Sequence, residues 1–234
     1  MEPGPASPTP ATPRPLAARL AEALLAIALV AALFASAGTL RWPAGWLYLA
    51  VVAGGLLAHR AWVAARNPQV LVRRDRVGEG TKAWDRAWVA VFWPLMLLAP
   101  VVAGIDTVRL GHRPLAAWTV PLGAAIHATG MALSALAMAA NPFFEGTARI
   151  QPGQVVVDGG PYRAVRHPGY AGLALWALGS PLLLRSALAF VPALLTAAWV
   201  VLRTALEDRM LRRELAGYEG YARRVRWRLL PGLW

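Results

Sequence analysis

The sequence contains no cysteine, which excludes disulfides, thiolate nucleophiles and cysteine metal ligands. Lysine is almost missing as well: Lys82 is the only one, so the formal charge of +12 comes nearly all from arginine. Charged residues of every kind make up 15% of the chain, against about 25% in an ordinary soluble domain. Apolar residues reach 57% and fall in long blocks, the pattern of a multi-pass membrane protein. The 234 residues allow one compact membrane domain and no sizeable soluble one. Positive charge can mark a nucleic-acid binder, but with this hydropathy it reads as cytoplasmic loops, and no nucleic-acid partner is expected. No period of 20–50 residues repeats, which argues against transporters built from internal repeats.

Residues 1–15, "MEPGPASPTPATPRP", lack apolar periodicity and are expected to form a disordered tail. The apolar run that follows is long enough to span, and reads as a retained helix rather than a cleaved signal. Five or six hydrophobic segments are predicted in all: Leu20–Ala37, Ala44–Ala58, Ala87–Ile105, Leu115–Ala139, Tyr170–Leu184 and Ser186–Leu202. The last two are short, are joined at Arg185-Ser186, and are expected to form a hairpin, kinked at Gly179-Ser180-Pro181. The fold class expected is thus an all-α multi-pass membrane protein, with N-terminal spans over 16–140 and a more polar region over 141–234. Orientation follows from the basic residues. Only Arg41, Arg109, Arg113 and Arg185 fall on one side; the other twenty of the 24 fall with the two termini, which places both termini in the cytoplasm. His127 is the clearest ionisable residue within a segment, and reads either as functional or as a neutral histidine bonded to a neighbouring helix. The basic loop 60–86 is consistent with contact to anionic lipid.

From Asn141 onward the chain changes character. "NPFFEGTARIQPGQVVVDGGPYRAVRHPGY" is a polar stretch of about thirty residues, in which "QVVV" reads as extended and "DGG" as a turn. Pro168 suits the first turn of a helix, so His167-Pro168 is expected to open the fifth segment. The helix N-terminus, flanked by Arg166 and His167, would suit a ligand carboxylate or phosphate. Beyond the sixth segment, Leu202, Leu206 and Met210 recur every four residues opposite an arginine-rich face, which predicts an interfacial amphipathic helix. Arg203 and Glu207, four apart, share a helix face at the depth of His167. Two polar clusters far apart in sequence but at one depth suggest a single site between helices.

"VVVDGGPYRAVRHPGYAG", a hydrophobic hairpin and "RTALEDRML…GYEGYARRV…P" together resemble the isoprenylcysteine carboxyl methyltransferase family, integral membrane enzymes that use S-adenosylmethionine. The resemblance runs from Asn141 to Trp234 and rests on Gly-x-Tyr, Arg-His-Pro-x-Tyr and Arg-x-x-x-Glu in that order. It implies that Gln151, Gln154, Val155, Val156, Val157, Tyr162, His167, Pro168, Gly169, Tyr170 and Glu207 line the cofactor, and that Arg203 lies near the methyl acceptor, so that Arg203 and Glu207 carry the reaction. It implies no metal. Where the family has two glutamates in a row this chain has Glu207-Asp208, and the stretch from Leu211 to Tyr218 is about one residue short, so no role follows for Tyr218 and Tyr221. The Ala/Arg/Pro bias suggests a bacterial inner membrane, and a hydrophobic, lipid-like acceptor: a carboxylate of a prenylcysteine-like compound or another lipid. A sterol-type reductase using NADPH, with its similar Arg-His-Pro-x-Tyr region, and a non-catalytic protein on the same scaffold are the alternatives.

Overall fold

The structure is a computed structural model and describes residues 16–74 and 80–234. The expected tail over 1–15 and residues 75–79 of the basic loop lie outside the described residues. Helices succeed one another as α1 (Leu16–Ala37), α2 (Pro43–Arg66), α3 (Pro68–Arg74), α4 (Ala83–Gly104), α5 (Thr119–Ala140), α6 (Pro168–Leu183), α7 (Phe190–Glu214) and α8 (Tyr218–Arg224). A π-helical turn, Ile105–Arg109, ends α4, and a 3-10 turn, Gly160–Arg163, precedes α6. There is no strand among the described residues; the "QVVV" stretch lies outside regular secondary structure.

Among the described residues, four helices are long and apolar enough to cross a membrane: Pro43–Arg66, α4 with its π turn (Ala83–Arg109), Thr119–Ala140 and Phe190–Glu214. The protein is an integral membrane protein of all-helical fold. Large apolar side chains such as Leu57, Leu194 and Leu195 point outward, as they do where lipid replaces water. α2 runs eight residues beyond the apolar segment that ended at Ala58; its last turn is amphipathic, with the Arg66 guanidinium 3.4 Å over the Trp62 ring. α6 is only 16 residues long, about 24 Å at 1.5 Å per residue, short of a hydrocarbon core of roughly 30 Å.

The amphipathic stretch after the sixth segment is not a separate interfacial helix. It is the second half of α7, which is unbroken from Phe190 to Glu214. Its inward side buries Arg203, Thr204 and Asp208, while Leu202 faces out. The buried side is mixed: Met210 is buried with these polar residues, whose partners come from other parts of the chain, while Arg209, Arg212 and Arg213 stay exposed.

α5 and α6 touch at backbone distance. A Cβ placed on Gly172 would lie 2.5 Å from the Gly130 carbonyl oxygen, and one on Gly130 would lie 2.5 Å from that of Gly172. Gly123 and Gly179 repeat the contact further along, with a Cβ on Gly179 at 2.9 Å from Gly123 O. Small residues let helices approach this closely when no hydrophobic driving force separates lipid from protein. At the end of the bundle near Lys82, that residue binds the Glu214 carboxylate at 2.9 Å. At the other end Asp106 accepts from Ser186 Oγ (2.5 Å) and meets His112 Nδ1 at 2.7 Å, and Arg185 Nε donates to Leu115 O at 2.7 Å. Gly172→Val should therefore force α5 from α6 and cost at least the ~1–3 kcal/mol of overpacking. A lower thermal unfolding midpoint in detergent than for Ala171→Val measures it.

Candidate functional site

A cleft opens where the loop 141–157, the turn at Gly160–Arg163, the start of α6, the second half of α7 and α8 come together. The space among its walls, open mouth included, is about 810 Å³. Gln151, Gln154, Val155, Val156, Val157, Tyr162, His167, Gly169, Tyr170 and Glu207 all line it. Pro168 does not; it occupies the first position of α6, with His167 as the residue before the helix. Arg203 does not line it either: it lies behind Tyr170 and Glu207, 4% exposed.

The loop is braced from within. Gln151 Nε2 donates to Phe143 O (2.7 Å), and Gln154 Oε1 accepts from Gln151 N (2.8 Å), so the side chains of both glutamines brace the wall they line. Arg149 grips Glu145 through two bonds of 2.7 and 2.8 Å. Phe144 packs so closely on the start of α6 that a Cβ on Gly169 would meet its ring at 2.8 Å. Sequence reasoning took 141–149 as loop and missed these wall residues; the paired aromatics and the acid and base four apart were the available signal. Tyr162 receives a 3.3 Å bond from Asn141 Nδ2, and its backbone carbonyl receives the Tyr221 hydroxyl at 2.8 Å. His167 stacks on Tyr170, centroids 5.7 Å apart, and the Tyr170 hydroxyl donates to Glu207 Oε2.

The two adjacent acids differ sharply. Asp208 is 1% exposed and fully engaged: Arg166 Nε at 2.7 Å, Arg228 Nε at 3.0 Å, the Tyr218 hydroxyl at 3.0 Å, Arg212 Nε at 3.2 Å and His167 Nε2 at 3.3 Å. Glu207 is half-buried, and beyond its bond to Tyr170 its other oxygen takes no hydrogen bond among the described residues. Arg166 is spent as well, since its Nη1 also donates to Val225 O and Arg226 O at 2.8 Å each. The anion expected beside the start of α6 is in part the chain's own Asp208, and Arg166 is not free for a ligand. Burial raises the phenol pKa of Tyr162, Tyr221 and Tyr218, the last also through the Asp208 charge, so all three remain neutral donors at physiological pH. Tyr218 thereby acquires a structural role that no sequence pattern gave it.

His127 lies elsewhere, in α5 between the rings of Tyr48 and Trp176, fully buried, with neither ring nitrogen hydrogen-bonded among the described residues. The bond to a neighbouring helix expected of a neutral histidine is not made, and it takes no part in the cleft.

The stretch that builds most of this cleft is also the part of the chain that matches a known family. Residues 121–213 match the isoprenylcysteine carboxyl methyltransferase (ICMT) family. That match takes in α5 from Pro121, the loop, α6 and nearly all of α7, and bears out the resemblance carried by "GPYRAVRHPGY" and "RTALE". A solved structure of the eukaryotic intramembrane Ras methyltransferase ICMT superposes with a TM-score of 0.55 at 20% identity, covering 90% of this chain and 75% of that one. At that identity the likeness is one of fold. No sequence among curated proteins matches the chain. The ICMT-matched region ends before Tyr218 and Tyr221 and begins after α4.

Asp208→Ala would leave Arg166 buried without its carboxylate, a loss of the kind that costs about 3–5 kcal/mol. The variant should unfold well below wild type in a detergent thermal melt, whereas Glu207→Ala should leave the midpoint nearly unchanged.

Proposed function

We propose that the protein is an S-adenosylmethionine-dependent methyltransferase that methylates a hydrophobic, lipid-like acceptor, for which the carboxylate of a prenylcysteine-like compound is the first choice. The observation that carries the reading is Glu207: a carboxylate with one oxygen unengaged, facing a cleft built by the segment that matches the ICMT family. The residues present fit such a cofactor. Glu207 can take its cationic amino group, the Val155–Val157 strip and Leu211 offer apolar walls, and Phe143, Phe144, Tyr162 and Tyr170 offer ring faces.

A bound sulfonium cofactor supplies an electrophilic methyl group. The chain's residues do the rest by position, and holding two reactants aligned is worth several kcal/mol. The first turn of α6 offers the positive end of a helix dipole beside the cleft, answered in part by the chain's own Asp208 through His167. Arg203, behind Tyr170 and Glu207, keeps a buried Nε with no hydrogen-bond partner among the described residues, and its positive charge just behind the cleft wall supports a role toward an anionic acceptor. A carboxylate acceptor is ionised at neutral pH and needs no general base. The arginine distribution supports a cleft on the cytoplasmic face with both termini inside, and the composition supports a bacterial inner membrane, from which a lipid-like acceptor would arrive laterally.

Calorimetry of the detergent-purified protein tests the reading. S-adenosylhomocysteine should bind and NADPH should not; NADPH binding without S-adenosylhomocysteine binding would favour a reductase. Glu207→Ala should weaken S-adenosylhomocysteine at least tenfold, about 1.4 kcal/mol. Arg203→Gln should bind it within threefold yet fail to transfer labelled methyl to lipid or protein of native membranes. Full activity in both variants would show that the site is elsewhere.

A further inference from the structure

Asp85 stands in the first turn of α4, outside the segment that matches the family, and is fully buried. A carboxylate in that position persists only if it is paired. Its Oδ2 accepts the Ala148 backbone N–H at 2.7 Å, and its Oδ1 lies 3.0 Å from Arg203 Nη2, an ion pair without hydrogen-bond geometry. The same Nη2 donates to Gly146 O at 3.0 Å. The guanidinium is sandwiched as well, 4.3 Å from the Trp88 ring centroid and 5.1 Å from that of Tyr170. Trp88 cannot drift, because its indole donates to Trp199 O at 2.8 Å while Trp199 donates to Trp88 O at 3.1 Å. Arg203 is thus fixed from α4, α6 and the loop, and Asp85 is the ionic part of that grip.

The consequence falls on Glu207. Arg203 and Glu207 are four apart on one helix, a spacing at which a guanidinium and a carboxylate ordinarily meet. Here Arg203 Nε stops 3.9 Å from Glu207 Oε2, beyond hydrogen-bond range, while Asp85 takes the shorter contact. Tyr170 occupies Oε2 instead, and the other oxygen stays open. We propose that Asp85 is a positioning residue of the site: by drawing the Arg203 guanidinium toward itself it limits Arg203 to a 3.9 Å ion pair with Glu207 and keeps it from hydrogen-bonding that carboxylate, leaving the second Glu207 oxygen for the cationic amino group of the methyl donor. The inference rests on the methyltransferase reading.

Without the Asp85 charge, Arg203 has one carboxylate left within reach and closes on Glu207. Asp85→Asn removes the charge yet keeps an oxygen for the Ala148 N–H. S-adenosylhomocysteine affinity is measured by calorimetry on wild type, Asp85→Asn, Arg203→Gln and the double variant, each checked for monodispersity in detergent. Asp85→Asn should bind at least tenfold more weakly than wild type, Arg203→Gln within threefold, and the double variant should recover to within threefold. That recovery separates charge division from lost structure, since a residue needed only for folding would not be rescued by removing its partner. Wild-type affinity in Asp85→Asn, or a double variant no tighter than Asp85→Asn, overturns the proposal. If Asp85→Asn does not purify as one species, the double variant decides alone: binding within threefold of wild type supports the proposal, and a loss beyond tenfold overturns it. A wild type that binds no S-adenosylhomocysteine overturns the methyltransferase reading itself, and the inference falls with it.

Discussion

Asp208 is the carboxylate on which the end of the molecule that holds the cleft depends. It sits in α7, and its partners come from the turn before α6 (Arg166, His167), from α7 itself (Arg212), from α8 (Tyr218) and from the C-terminal tail (Arg228). The backbone follows the side chains: Arg166 N donates to Trp227 O and His167 N to Arg228 O, both at 2.9 Å, tying the tail beside the entrance to α6. A buried anion is costly unless its lone pairs are filled, so these segments are held to one arrangement or the charge is stranded. The walls of the cleft inherit their positions from that requirement.

Next to it in sequence, Glu207 has the opposite character, and the helix explains why. Successive residues on a helix point about 100° apart. Asp208 therefore faces the turn and tail, and Glu207 faces Tyr170 and the cleft. One acid is satisfied by the protein and the other is left incompletely so, which is the pattern expected when the first organises a site and the second meets a ligand. The short aspartate side chain fits this division, since it keeps the carboxylate close to the helix where Arg166 and Tyr218 converge.

The apolar segments were legible because lipid imposes length and hydropathy directly. Much of the cleft lining was legible too, through His167, Gly169, Tyr170 and the strip at Val155–Val157, though through resemblance more than through local pattern. What the sequence could not convey was pairing at a distance. Nothing local links Asp85 to Arg203, or Arg166 to Asp208, and both pairs are buried contacts across the fold. The same blindness made the second half of α7 look interfacial. Its arginines appeared to want water, but Arg203 found Asp85, and Arg212 found Asp208 and Glu219.

The length of α6 gives the cleft its depth. α6 has 16 residues and α7 has 25, about 24 Å and 37 Å at 1.5 Å per residue. The pair is antiparallel, and the start of α6 meets α7 at Glu207 and Asp208 through Tyr170 and His167. Everything in α7 beyond that level, including Met210 and Leu211, has no α6 beside it. The loop 141–157 and α8 fill in around that overhang without closing it. A longer α6 would pack against this part of α7 and occupy the space; a short one, capped by Pro168 and pinned by His167, leaves a cavity whose floor is helix and whose rim is loop. The site thus exists because one helix of the hairpin stops early while its partner continues.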